Sequence, residues 1–482
     1  MRGRAWLLFA VAVLALAYLV RYESRHSFYQ SLFLSRYAAE LTFRLEQGPS
    51  DSVIFPESGP FDERLGYTLI PQFAERLDRQ GFALTHQARF SPELVEHVQR
   101  GLFPPYREKT QAGLHVLDCK GDSIYRFLYP RRHYYSFEDI PALLRDSLLY
   151  VENRRLLMPG RPMANPAVDW PRLLNASASL LSSRIEGEGS SHGASTLATQ
   201  IEKYRHSPDG RTLEPRDKLQ QMASASVRAY RDGRNTLEAR QRLVLDYLNT
   251  VPLAAAPGYG EVNGVGDAVW VWFDNDFPTF NQWLRGEAGV GAQGQALRQA
   301  LAIVIAQRRP SYYLLAGRDD LHELIDSHLR LLARDGIISS ELRDAALGQP
   351  IAYRDWAANP LRPQVEQDKG VTVSRTRIAG LLRQSLYAAD RMDLVARSSL
   401  HLELQRAASD YLESLADPDV AQKAGILGER LMTANNWRRK WSSAPLTTPT
   451  PVMPTTHVWK PRTRSATRRE TTTTNPGGPG SS

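Results

Sequence analysis

Between Gly193 and Lys203 the chain reads Gly-Ala-Ser-Thr-Leu-Ala-Thr-Gln-Ile-Glu-Lys, which packs hydroxyls, an amide and an ammonium into about three helical turns. Such a row suits a phosphate-bearing ligand. Gly193 lets the chain turn tightly, and Ser195 or Thr196 can cap a helix whose free N–H groups and positive dipole end favour an anion. Lys203 then supplies a full charge nearby. An ordinary capped helix on a solvated face has the same local pattern, so the rest of the chain decides between the two.

A carboxylate is positioned by a second helix. Ile140, Leu143, Leu144, Leu148 and Val151 fall at offsets that line one helical face, with Pro141 early in the first turn. Glu152 lies at the edge of that stripe, beside apolar packing, where partial desolvation makes a carboxylate a better base. Further on, Leu297, Ala300, Leu301, Val304 and Ile305 form a core stripe with a scaffold role. Gly264-Val265-Gly266-Asp267-Ala268 predicts close packing of helices or a loop. No preceding strand of a βαβ unit supports a nucleotide site there.

The 482 residues, 42% apolar and 9% aromatic, predict a multi-domain globular chain. Of the net charge of +8, the segment from Trp437 onward carries eight Lys or Arg against one acid, Glu470. The remainder is nearly neutral, which argues against specific nucleic-acid binding. Cys119, the single cysteine, excludes an internal disulfide and reads as a small buried core thiol. Arg2 and Arg4 precede an apolar run from Ala5 to Val20, closed by Arg21. That pattern predicts an uncleaved membrane anchor with its basic end in the cytoplasm and Tyr18 and Tyr22 in the interfacial belt; a signal peptide cleaved at Ala15-Leu16-Ala17 is the alternative. Leu114–Asp118 and Ile124–Phe127 predict two strands around a turn containing Gly121. Residues 61 to 106 predict a small mixed accessory unit, and no fixed-period repeat is visible.

Five ordered patches resemble the peptidoglycan glycosyltransferases, glycosyltransferase family 51, the polymerising module of bifunctional class A penicillin-binding proteins. They are Val151-Glu152-Asn153-Arg154-Arg155-Leu156-Leu157, the Ser195-Thr196 segment, Arg216-Asp217-Lys218-Leu219-Gln220-Gln221-Met222, Leu245-Asp246-Tyr247-Leu248-Asn249, and the Gly264–Ala268 run. Ala300–Ala306 followed by Arg309-Pro310-Ser311-Tyr312-Tyr313 looks like the helix and turn that follow in those enzymes. The resemblance covers residues 126 to 350 well and 351 to 415 loosely.

The resemblance implies transfer of a glycan chain from an undecaprenyl-diphosphate donor to the 4-hydroxyl of a lipid-linked disaccharide (lipid II), with inversion. Glu152 is the candidate base. Lys203 and Lys218, aided by Arg216, Ser195, Thr196 and Gln200, are candidates to stabilise the diphosphate, together with a divalent cation, Mg or Mn, if one is used. Asp246 and Asn249 are candidates to shape the donor pocket, or to cap a helix end. No residue is assigned to a metal. The implied partners are the lipid-linked substrate, the nascent glycan strand, the inner membrane and other cell-wall synthesis proteins. The implied location is the bacterial inner membrane, single-pass, with the bulk on the periplasmic side.

Several positions depart from the family. Its second glutamate falls on Gln221, or Gln220 in the alternative register, and an amide keeps the shape but loses the negative charge. Asn153 replaces an Asp, Leu156 and Pro159 stand near aromatic and His positions, and Asp246 replaces a Glu. Ser398–Ala408 resembles the junction to a transpeptidase domain, yet none of the eight lysines has a serine three positions before it, as that acyl-transfer chemistry needs. The expected fold is mainly α: an anchor at 1–22, a mixed α/β accessory region at 23–125, a lysozyme-like glycosyltransferase domain at 126–350, a linker at 351–430, and a disordered or aberrant tail at 431–482, dense in Thr, Pro and Arg. Three functions follow from the same residues: a glycan polymerase, an impaired pseudoenzyme that binds cell-wall precursors or partners, or a lytic enzyme that cleaves glycan.

Overall fold

Helices α1 (Arg2–His26) and α2 (Phe28–Glu40) lead into strand β1 (Phe43–Gln47), then α3 (Pro60–Leu65), α4 (Ile70–Arg79), β2 (Phe82–Phe90), α5 (Pro92–Gln99) and the hairpin β3 (Leu114–Leu117) and β4 (Ser123–Arg126). This computed structural model describes residues 2–170, 195–361, 368–426, 452–454 and 458–461. Gly193 and most of the tail from 431 lie outside the described residues. Strand β1 pairs antiparallel with β2, Phe43 opposite Phe90. In the β3–β4 turn, Asp118 Oδ1 accepts from the N–H groups of Lys120, Gly121 and Asp122, each at 2.8 Å. Cys119 sits in that turn and is exposed, which corrects the buried-thiol expectation. A tight turn projects its central side chains away from any core.

The next unit is built from α6 (Ala142–Glu152), α7 (Leu197–His206), α8 (Pro215–Ala229), α9 (Leu237–Thr250), the hairpin β5 (Pro252–Ala256) and β6 (Gly260–Asn263), then α10 (Val265–Phe273), α11 (Phe277–Leu284), α12 (Gly289–Ala306), α13 (Arg318–Arg334) and α14 (Ser340–Leu347). Helix α12 is its centre, with α6, α10, α11, α13 and α14 packed around it. Leu297, Ala300, Leu301, Val304 and Ile305 are all buried in its core face. Each such Leu, Val or Ile contributes about 1.5–3 kcal/mol by leaving water. Gly264, at φ 79°, enters α10 so close to α9 that a Cβ there would lie 2.4 Å from the Asn249 carbonyl oxygen. A Cβ on Gly266 would lie equally close, 2.4 Å, to the Arg132 carbonyl oxygen. Both glycines therefore serve packing.

Residues 369–397 are not a linker. Helices α15 (Lys369–Leu382) and α16 (Leu386–Arg391) precede β7 (Leu394–Arg397), which pairs parallel with β3, Leu114 opposite Leu394. Ile378, Leu381, Leu382 and Met392 bury against Phe73, Leu77 and Phe82. A two-stranded hairpin cannot shield its own apolar face, so Leu114 and Val116 need a third strand and covering helices. The chain after the glycosyltransferase-like unit supplies them. Helices α17 (Leu402–Ser414) and α18 (Pro418–Lys423) follow, and of the tail two short strands are described, Val452–Pro454 and Val458–Pro461. The whole is mainly α with small sheets, and among the described residues no helix is long and apolar enough to cross a membrane.

Candidate active site

Because Leu144 and Leu148 are buried in the core, the last turn of α6 carries Glu152 at the core edge, where only 6% of the residue is exposed. Its Oε2 accepts from Gln200 Nε2 at 2.9 Å. Oε1 accepts from Gln307 Nε2 at 3.0 Å and from Arg308 Nη2 at 3.3 Å. An ionised carboxylate accepts only, and all these contacts are donors. Gln200 projects from α7 and is itself held by the Tyr247 hydroxyl of α9, which donates to its Oε1 at 3.4 Å. Four elements thus fix one carboxylate: α6, α7, α9 and the turn after α12.

Lys203 follows Gln200 by three residues on the same helix, so the two share a face. Burial pulls its pKa down, while the Glu152 carboxylate pulls the other way, so the two groups sense each other. Lys218, in the first turn of α8, is brought to about 8 by burial and by the neighbouring Lys203 ammonium. It donates to the Ser195 hydroxyl, immediately before α7. Two half-buried ammonium groups, of which Lys203 lowers the proton affinity of Lys218, form a site that an anion would relieve. Arg216, exposed in the first turn of α8, adds a third cation at the positive end of that helix, where an anion again balances the charge.

A family model described as Transglycosylase matches residues 120–330, a range that contains each of these side chains. Residues 120–330 form a transglycosylase domain of glycosyltransferase family 51. A search of the curated proteins finds no match.

Within the transglycosylase domain the remaining sequence candidates have other duties. Thr196 is buried as the N-cap of α7, its Oγ1 accepting from Thr199 N at 3.3 Å. Gln221 is fully buried: its Nε2 donates to Ser207 Oγ and Thr212 Oγ1, both at 3.0 Å, which ties α8 to the end of α7. Gln220 donates to the Gly101 carbonyl of the accessory region. Asn249 clamps the Tyr134 backbone, accepting from its N–H and donating to its C=O at 2.8 Å each. That pairing engages both ends of the amide with backbone. Asp246 accepts from Arg205 Nη2 at 3.4 Å, and burial raises its pKa.

Arg205 leads into a network that sequence spacing does not reveal. Its Nη1 meets Glu108 Oε2 at 2.8 Å, His206 Nε2 meets Glu108 Oε1 at 2.8 Å, and His206 Nδ1 meets Asp62 Oδ2 at 2.7 Å. Arg228 on α8 joins Glu108 at 2.9 Å and Glu202 at 2.6 Å. The accessory region therefore grips one side of α7 while Gln200 and Lys203 on the same helix face Glu152. Gln307, Arg308 and Tyr247 are also functional neighbours that the sequence did not single out. The only local signal is polar: a Gln-Arg pair directly after the apolar run of α12.

Among the described residues no group of three or more His, Cys, Asp or Glu side chains is placed to share a metal ion. Around Lys203 and Lys218 the described groups are ammonium, hydroxyl and amide, a set that suits an anion.

Proposed function

We propose that the domain polymerises lipid II into peptidoglycan glycan strands with inversion, Glu152 acting as general base. In this reading the acceptor 4-hydroxyl attacks the anomeric carbon of the donor and its proton passes to Glu152. The new glycosidic C–O bond forms as the bond to the diphosphate oxygen breaks, and the electron pair leaves with the lipid diphosphate. Lys203 and Lys218, with Ser195 and Arg216, meet the charge that develops there. One observation carries the reading: α7 holds Gln200 against the carboxylate and Lys203 beside it, so base and cations share one rigid support. The exposed apolar side chains of α1, with Trp6 71% and Leu14 70% exposed, support an anchor that keeps the site at a periplasmic membrane surface. Incubating the full chain with labelled lipid II tests it: polymer from wild type and about 10²- to 10⁴-fold less from Glu152→Gln is the expected result, and equal polymer from both ends the proposal.

A second reading has its own observation. Gln221 is an amide locked between Ser207 and Thr212, so no second carboxylate assists Glu152 from that position. In this reading the domain binds lipid-linked precursor or a cell-wall partner with little turnover. Polymer appearing only in Gln221→Glu would favour it.

A further inference from the structure

Strand β1 is the outer strand of its sheet: β2 pairs with one side of it, and no described strand pairs with the other. The ladder shows which backbone groups face that free side. Ser91 N donates to the Thr42 carbonyl at 2.9 Å and Gly48 N to the Thr85 carbonyl at 2.8 Å, so Thr42, Arg44, Glu46 and Gly48 turn their backbone groups toward β2. The N–H and C=O groups of Phe43, Leu45 and Gln47 therefore point outward. The side chains there are open as well, with Phe43 50% and Leu45 59% exposed. A row of unpaired backbone donors and acceptors beside exposed apolar side chains is a template for another strand.

The charges on the strand point to its partner. Arg44 lies directly opposite Arg89 of β2, a like-charge pair that cross-strand packing disfavours, and among the described residues its side chain forms no ion pair. Glu46, two residues on, meets Arg89 at 2.9 Å, with both side chains about half exposed. The strand reads Phe-Arg-Leu-Glu-Gln, which is complementary to itself when run backwards. An antiparallel copy centred on Leu45 sets Arg44 against the partner's Glu46 and Glu46 against the partner's Arg44. The same register sets Leu45 against the partner's Leu45, and every outward N–H and C=O group of Phe43, Leu45 and Gln47 finds a mate. We propose that β1 pairs with β1 of a second copy of this chain about a two-fold axis through Leu45, joining two accessory sheets into one. A five-residue seam lies far below the roughly 1,600 Å² of a standard interface, so the dimer is weak, with dissociation on the order of 10–100 µM. This contact is independent of the chemistry assigned to Glu152.

Sedimentation velocity of the full chain in detergent, across that concentration range, measures the association, and wild type should pass reversibly from monomer to dimer. Arg44→Glu places acid against acid at both ends of the seam, and Glu46→Arg places base against base. Each variant alone should therefore dimerise roughly tenfold or more weakly than wild type. An equimolar mixture of the two should recover the association, because every position 44 then faces an opposite charge at position 46 of its mate. Leu45→Pro removes the central outward N–H and leaves the ladder to β2 intact, so it should abolish the dimer with little change in melting temperature. Register is tested by oxidation in a Cys119→Ser chain, since Cys119 is exposed and would itself cross-link. Leu45→Cys should join its own copy, the Cα atoms lying about 5.5 Å apart, and Gln47→Cys, whose copies lie roughly 13 Å apart, should not. A monomer throughout, association that Arg44→Glu and Leu45→Pro leave unchanged, a mixture no stronger than its components, or cross-linking through Gln47→Cys instead of Leu45→Cys each overturns the proposal.

Discussion

Gln200 and Glu152 meet at 2.9 Å although 48 residues separate them, and the same glutamine side chain is steadied by the Tyr247 hydroxyl. In the proposed reading of Glu152 as base, these contacts make Gln200 a residue that positions the carboxylate. Gln200→Ala should lower kcat roughly tenfold, the scale of one hydrogen bond to a charged group, with KM for lipid II little changed. Steady-state kinetics with a labelled lipid substrate separates the two parameters. A rise in KM with kcat unaltered would assign Gln200 to substrate binding instead.

Glu152→Gln tests the base directly. The amide keeps the volume of the side chain, so the melting temperature should stay within a few degrees, while polymerisation falls about 10²- to 10⁴-fold, the usual span of general-base assistance. Gel separation of the glycan products measures it. Loss of folding in this variant would leave Gln200→Ala as the companion test of the same pair.

Lys218 gives the candidate site an alkaline limit. Burial and Lys203 hold it at about 8, so below that pH it is charged and meets an anion, and above it the charge is lost. Because this value lies below the ordinary lysine range, the charged side chain costs the empty protein stability, a cost that fades as pH rises from about 8 toward 10.5. Pyrophosphate affinity, followed by calorimetry from pH 7 to 10, should therefore drop roughly tenfold through this range. Lys218→Arg, which stays charged, should move the drop upward.

Local spacing made much of the candidate site legible. The apolar stripe of α6 placed Glu152 at a core edge, and the short interval from Ser195 to Lys203 put cap, amide and ammonium on one helix. Gln307, Arg308 and Tyr247 were not legible, because they reach Glu152 only once α12 and α9 have packed against α6. The accessory fold was hidden for a related reason: β3 finds its partner β7 about 280 residues later, and no local pattern encodes that pairing. Asn249 sat in a recognisable motif, yet its amide is consumed by the Tyr134 backbone, a contact that residue type alone does not distinguish from a ligand role.

The grip of the accessory region on α7 should be the most pH-sensitive part of the fold. Burial pushes the His206 pKa down, but Glu108 and Asp62 outweigh it and raise the group to about 10. A histidine whose folded value exceeds its ordinary 6.5 adds stability that is complete below about 6.5 and is lost as pH rises through about 10. On the acid side, Arg228, His206 and Arg205 overcome burial and hold Glu108 below the usual carboxylate range, so its contribution is present above about 4.5 and lost as pH falls toward the depressed value. Melts from pH 6.5 to 10 should show a progressive loss that His206→Asn flattens. Glu108→Gln should cost about 3–5 kcal/mol near neutral pH, because it leaves Arg205, His206 and Arg228 short of one buried counter-charge. Denaturant titration with an unchanged slope would measure that cost, and a loss under 1 kcal/mol would mean that water, rather than Glu108, compensates the cluster.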